Sequence, residues 1–218
     1  MDCNDLDKGP AATAVEALLT LGERNRPLRG TWIARDRMPR ERTHLRYQLY
    51  RSRARALAGI KTAQLQNELE SYGQTNLDFS KVRYEAINTQ ALSAWELWED
   101  PQFAWDEVIG WKAREPLAFD LAIWFGEELC GLCFANPNNS RRRIRIVRLE
   151  GRPGEVHPLK KRIAPLSILA IEQYARIVGS RFIEVQEPLK GAISIYQQLG
   201  FYYDDERRLV KSVEGQVS

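Results

Sequence analysis

Between residues 41 and 72 no proline interrupts the chain, and Leu45, Leu49, Ala56, Ile60, Leu65 and Leu69 recur at roughly helical spacing. That pattern predicts one long helix, ended by Gly73-Gln74-Thr75-Asn76. Upstream, residues 12–22 suit a short helix closed by Gly22, and Pro27, Gly30 and Pro39 break the intervening stretch into loop. Beyond residue 80 the period changes. Residues 81–87 alternate as a strand does, and residues 91–111 read as one or two helices broken around Pro101, with Trp95, Trp98, Phe103, Trp105 and Trp111 as packing residues. Strands over 118–125 and 128–135 flank the hairpin signal Gly126-Glu127. A turn at 136–139 leads into a strand over 143–150, where Ile144, Ile146 and Val147 supply β-branched content. After a loop with Pro153 and Pro158, a helix begins near Ala164-Pro165, carries Leu166, Leu169, Ile171, Tyr174, Ile177 and Val178, and stops at Gly179. A strand over 181–186, a helix over 190–199 and a closing strand pair over 201–204 and 208–213 complete the chain.

From residue 81 the order is therefore β-α-α-β-β-β-α-β-α-β. The strand, helix and strand between 143 and 186 imply a right-handed parallel crossover beside an antiparallel meander, hence an α/β domain with a mixed sheet and helices on both faces. The expected division is a basic helical extension over 1–79 and the α/β domain over 80–218.

Charge adds an asymmetry. Residues 24–55 hold eleven arginines against Asp36 and Glu41, a net +9; the whole chain carries +3, so the remainder carries 3 − 9 = −6. Such a stretch favours a polyanion or an acidic protein surface. Tyr47 and Tyr50, interleaved with Arg46, Arg51, Arg53 and Arg55, could stack on bases. The same segment could instead lie over the acidic remainder of the protein or between two subunits of a homodimer, and both readings stand.

Three cysteines in 218 residues do not make a disulfide framework. Cys130 and Cys133 sit in an apolar strand-like run with no second Cys/His pair nearby, which points to packing and to no metal site. Only two histidines, His44 and His157, are present, far apart in sequence, so a Ser/His/Asp constellation has little support. No run approaches the roughly 20 apolar residues of a membrane span, and the acidic start is unlike a signal peptide; a cytoplasmic protein is expected.

Three local motifs carry a family resemblance. Ala192-Ile193-Ser194-Ile195-Tyr196-Gln197-Gln198-Leu199-Gly200-Phe201 resembles the A-x-x-(L/I)-Y-x-x-x-G-F ending of the GNAT acyltransferases. Residues 121–131 are similar to the family hairpin in which x-L-x-G opens the third strand, and Val156-His157-Pro158 resembles the V-x-P before its cofactor loop. The resemblance covers about residues 81–214. It implies a sheet whose fourth strand splays from its neighbour, and transfer of an acetyl or related acyl group from acetyl-CoA, or another acyl-CoA, to an amine acceptor. By the same resemblance Tyr196 protonates the leaving thiolate and Glu150, at the end of the fourth strand, is the first choice of base, with Glu155 and His157 as substitutes. The cofactor would rest on backbone at Leu149 and Gly151, on the loop Lys160, Lys161, Arg162, Ile163, Ala164 and Leu166, and on Lys190. This loop departs from (R/Q)-x-x-G-x-(G/A): Ala164 stands at the first glycine, Leu166 at the second small residue, and Pro165 removes an amide donor. The basic side chains of Lys160, Lys161 and Arg162 could replace lost backbone donors. The alternative is a non-catalytic domain of the same fold that binds protein or nucleic acid through its N-terminal arginines.

Overall fold

A computed structural model describes residues 40–71, 77–154 and 156–213, with side chains of the first helix given from His44 onward, Leu69 and Ser71 excepted. The short helix expected over 12–22 lies outside these residues.

Among the described residues seven strands form one sheet: β1 (Val82–Glu85), β2 (Phe119–Phe125), β3 (Glu128–Pro137), β4 (Arg143–Gly151), β5 (Phe182–Val185), β6 (Tyr202–Tyr203) and β7 (Leu209–Ser212), in the order β1-β2-β3-β4-β5-β7-β6. β1 to β4 pair antiparallel, β5 lies parallel to β4, and β7 returns antiparallel to β5 with β6 on the outer edge. The helices are α1 (Arg40–Ser71), α2 (Thr89–Trp95), α3 (Glu107–Arg114), α4 (Ile163–Val178) and α5 (Ile193–Gln198). This is the mixed α/β arrangement that the sequence implied, with the expected strands displaced by no more than about two residues at either end.

Period-two alternation divides the sheet between two cores. Phe119, Leu121 and Ile123 of β2 face α4 and α1, whereas Ala122 and Trp124 face α2 and α3, where Trp98 and Trp105 are buried. A register irregularity where Ile123 pairs with Gly131 but Trp124 with Leu129 leaves Cys130 as the extra residue of a bulge. Cys130 consequently shares the α4 face with Cys133. Both are buried free thiols; desolvation pushes Cys130 up to about 11 and Cys133 higher still, as befits packing residues.

Pro165 falls in the first turn of α4, where amides have no intrahelical acceptor, and Gly179 caps the other end at φ 77° with its N–H on the carbonyls of Ala175 and Arg176. The start of α4 approaches β3 so closely that a Cβ on Gly131 would lie 2.5 Å from Ile163 Cγ2. Only glycine leaves room for that contact.

One expectation for α1 changes. The stripe that marked the helix in the sequence is not its buried face: Leu45, Leu49 and Ile60 are 60%, 70% and 56% exposed, while Tyr47, Ala54, Ala58 and Thr62 turn inward. Small Ala54 and Ala58 permit close approach, and polar anchors fix the rotation. Arg51 donates to the carbonyls of Pro116 and Ala118, both at 3.0 Å, Thr62 Oγ1 lies 2.6 Å from Tyr84 Oη, and Gln66 Oε1 accepts from Phe79 N at 2.9 Å. These bonds, some to a charged donor, override a modest hydrophobic preference. The described part of α1 packs along α4 and β1, and its inward residues belong to the same core as α4.

Candidate active site

The parallel pairing of β4 with β5 runs from Arg143 opposite Phe182 to Ile146 opposite Val185, and its last bond is Gln186 N to Ile146 O at 3.1 Å. β4 continues to Gly151 while the segment after β5 turns away through Glu187, whose φ of 47° lies in the left-handed region. The divergence opens a cleft of about 520 Å³. Leu149, Ala164 and Tyr196 line it on the α4 side, with Phe103, Trp111, Val147 and Arg148 toward α3 and Gln186, Glu187 and Leu189 opposite β4.

Backbone phase sets what β4 offers this cleft. Arg152 N bonds Cys130 O at 2.9 Å, so the pairs Leu132/Glu150 and Phe134/Arg148 are those that exchange hydrogen bonds with β3. Leu149 and Gly151, between them, turn their N–H groups toward the splayed side.

At the head of α4, Lys161 adopts φ 65°, Arg162 N bonds Leu159 O at 2.9 Å, and Leu166 N bonds Arg162 O at 3.0 Å. The amides of Ile163 and Ala164 remain as first-turn donors beside the positive end of the helix dipole, while Pro165 offers none. Leu166, which replaces a small residue, is buried in the core beneath the helix, and Ile163 fills the space over Gly131 and Gly151. Lys160, Lys161 and Arg162 are exposed around this end, although Lys160 Nζ already donates to Gly154 O at 2.8 Å. Lys190 is exposed at the start of the 3₁₀ turn Lys190–Ala192 that leads into α5. First-turn amides without an intrahelical acceptor, a basic rim and an open cleft together fit a phosphate-bearing, extended ligand.

Tyr196 sits on the cleft wall, its ring edge-on to Phe201 with centroids 5.4 Å apart. Desolvation, reinforced by Cys133, pushes its phenol up to about 12, so it remains a proton donor at neutral pH.

Glu150 is placed differently from the residue expected to act as base. It is only 6% exposed, on the α3 face of β4, and both its oxygens are engaged: Oε1 accepts from Gln102 N at 2.6 Å and Oε2 from Trp105 Nε1 at 2.7 Å. The carboxylate holds the segment between α2 and α3 against the sheet. Arg148 serves the same wall, bonding Ala104 O at 2.7 Å and Glu107 at 2.9 Å, with its guanidinium carbon 4.3 Å from the Trp111 ring centre and 5.3 Å from that of Phe103. His157 is buried in the β4–α4 loop, Nδ1 has no partner among the described residues, and desolvation lowers its pKa, opposed by Glu128 and assisted by Arg152 and Lys160. Glu155 lies outside the described residues.

Glu187, Gln186 and Arg148 escaped the reading of the sequence. Trp111 and Phe103 were singled out as packing residues and are also cleft walls. The signal for Glu187 was positional only, a carboxylate just past the fifth strand and before Pro188.

Of the four arginines interleaved with Tyr47 and Tyr50, Arg51 and Arg55 are committed to carbonyls and to Asp120, whereas Arg46 and Arg53 are exposed. Among the described residues no group of three or more His, Cys, Asp or Glu side chains is arranged to hold a metal ion, and no helix is long and apolar enough to cross a membrane.

No protein-family model matches the sequence, and no curated protein is similar to it in sequence. Among solved structures the chain is similar to the aminoglycoside 6'-N-acetyltransferase from Enterococcus faecium, at 14% identity and TM-score 0.47 over 63% of this chain and 99% of that one. It is similar to the GNAT domain of S. lividans PAT, at 13% identity and TM-score 0.45 over 60% and 90%. The PaiA N-acetyltransferase from Thermoplasma acidophilum in complex with coenzyme A gives 13% and 0.40 over 60% and 98%.

Proposed function

We propose that this GNAT-like chain is an acyltransferase moving an acetyl or related acyl group from acyl-coenzyme A to an amine. The observation that carries the reading is the splayed β4/β5 pair, which puts free strand amides, the open end of α4 and the Tyr196 phenol around one cleft.

Leu149 and Gly151 would hold the amide-bearing arm by main-chain bonds, as an added strand would. Ile163 and Ala164 amides, with Lys161 and Arg162, would hold the pyrophosphate. The bound cofactor supplies a thioester as acyl donor. As the amine nitrogen bonds the acyl carbon and the carbon–sulfur bond breaks, Tyr196 gives its proton to the departing sulfur. The amine's own proton goes to Glu187, the carboxylate that lines the cleft. Glu150, both oxygens occupied, positions the wall segment containing Phe103 and Trp105. The inward commitment of Arg51 and Arg55 weighs against the non-catalytic alternative, since it removes half of the interleaved arginines from any external partner.

Calorimetric titration with acetyl-CoA tests this. Micromolar binding, lost in Lys161→Glu/Arg162→Glu, is the expected result. Absence of binding to the unmodified protein, or binding unchanged in the double variant, would remove the cofactor from this cleft.

A further inference from the structure

The cleft is not confined to one side of the sheet. Tyr196 belongs to the core on the α4 face, Phe103 and Trp111 pack against the core on the α3 face, and all three line it. β4 is bulged where the opening starts: Phe134 pairs with Arg148 and Ala135 with Ile146, so Val147 is the extra residue. Val147 packs toward α3, and Arg148 lies over Trp111 on that same face. From the last paired residues, Ile146 and Val185, Arg148 stands two steps along one arm of the splay and Glu187 two steps along the other. Among the described residues these two are the only charged side chains lining the cleft; Gln186 and Tyr196 are polar, and the other lining residues are apolar.

Neither charge is saturated. Arg148 donates to Ala104 O and to Glu107, but Glu107 is half exposed to water, and the rest of the guanidinium fork has no acceptor among the described residues. Glu187 is exposed and has no partner among them.

We infer that the acceptor is an α-amino acid with a large apolar side chain, bound as its zwitterion, an assignment that rests on the acyl-transfer reading of this cleft. Its carboxylate meets Arg148, its amino group meets Glu187, and its side chain lies against Phe103, Trp111 and Val147. A carboxylate takes paired N–H groups of a guanidinium. A neutral acceptor would leave those donors covered and unsatisfied, and a purely cationic one would bring a second positive charge toward Arg148. In an α-amino acid one carbon separates the two charges. That suits side chains facing across strands that have only begun to part from their ~5 Å pairing. The ammonium nitrogen loses one proton to Glu187, which passes it to water, and bonds the acyl carbon. As the carbon–sulfur bond breaks, Tyr196 protonates the sulfur and recovers a proton from the same nitrogen through water. An ammonium and a thioester thus give an N-acyl amino acid, a free thiol and one released proton.

Thiol release from acetyl-CoA by the full chain, with calorimetric binding of acetyl-CoA measured alongside, tests the assignment. L-phenylalanine should exceed both phenethylamine, which lacks the carboxylate, and L-phenylalaninamide, in which it is masked, by at least about tenfold in kcat/KM, the loss expected when a hydrogen bond to a charged group is removed. L-aspartate should be a poor acceptor, and parity with L-phenylalanine would overturn the apolar subsite. Arg148→Gln should raise the KM for L-phenylalanine by a similar factor and that for phenethylamine far less, a split that a loosened wall would not produce. The comparison of acceptors in the unmodified protein decides the matter even where that variant fails to fold. Acetyl-CoA binding with equal or better turnover of the amine or the amide, or with no turnover of L-phenylalanine, overturns the acceptor and leaves the cofactor in the cleft. Absence of acetyl-CoA binding overturns the underlying reading, and the acceptor with it.

Discussion

Arg55 of α1 donates through one terminal nitrogen to both the carbonyl oxygen of Asp120, at 2.7 Å, and its carboxylate, at 2.9 Å. Asp120 is a buried residue of β2 whose other oxygen accepts from Lys112 Nζ of α3 at 2.6 Å and from Ile87 N at 2.9 Å. One carboxylate thus ties together a helix from each side of the sheet and the segment that leaves β1.

Removing that carboxylate should be among the most damaging single changes. Asp120→Ala leaves the Arg55 guanidinium, whose pKa burial already lowers, without its counter-charge, and should cost about 3–5 kcal/mol in urea unfolding. Asp120→Asn, which keeps an acceptor for Ile87 N, should cost less. A loss below about 1 kcal/mol for the alanine variant would mean the network contributes little.

Gly131→Ala should cost about 1–3 kcal/mol, because the new methyl group would press on Ile163. Combined with Ile163→Ala the penalty should shrink below the sum of the two single changes, as expected for residues in contact. Strict additivity in thermal unfolding would separate the two positions.

Two glutamates should divide cleanly between stability and rate. Glu150→Gln puts an amide where two donors converge and should lose about 1–3 kcal/mol of stability while acetyl-CoA binding survives. Glu187→Gln, at an exposed position, should leave unfolding unchanged and lower kcat in thiol-release assays with an amine acceptor. The reverse pattern would return the base to Glu150.

Tyr196→Phe should lower turnover by roughly 100-fold, a common contribution of a general acid, without weakening acetyl-CoA in calorimetry. Since burial raises the phenol to about 12, its titration should not limit the rate of the unmodified protein at mildly alkaline pH. Unchanged turnover in the phenylalanine variant would leave the residue with a packing role against Phe201.

His157 provides a pH signature. Its folded pKa lies below the ordinary value near 6.5, so in acid the unfolded chain binds the proton first. Stability from the neutral imidazole is complete above about pH 6.5 and declines as pH falls toward the folded pKa. His157→Gln should flatten that part of the profile in thermal unfolding between pH 7 and 5; an unaltered slope would assign the acid sensitivity to other groups.

The strands were legible from alternation over 81–87 and, elsewhere, from short apolar or β-branched runs bounded by turn residues, and the meander followed from Gly126 and the 136–139 turn. The side α1 buries was not legible. Its leucines repeat at helical spacing as well as any buried set does, whereas its true inward face is Tyr47, Ala54, Ala58 and Thr62, fixed by arginines that looked like solvent residues. Tyr196 could be placed because it lies in a short motif near its chain neighbours. Glu187 could not, since its access to the cleft depends on where β4 and β5 part, a long-range property. Glu150 shows the complementary limit: its position on β4 was read correctly, but the occupancy of its oxygens depends on Gln102 and Trp105, nearly fifty residues away.

Because α1 contributes to the core that Ile171, Tyr174 and Ala175 occupy, α4 is an interior helix, covered on one flank by the sheet and on another by α1. A shortened gene beginning at residue 80, the boundary that element order and motif would suggest, would encode a protein with a greasy scar along the very helix whose tip is proposed to hold the ligand. Such a fragment should be recovered in inclusion bodies, and its failure to turn over acetyl-CoA would say nothing about chemistry. For this chain the smallest unit that can be assayed starts before the first residue any motif recognises.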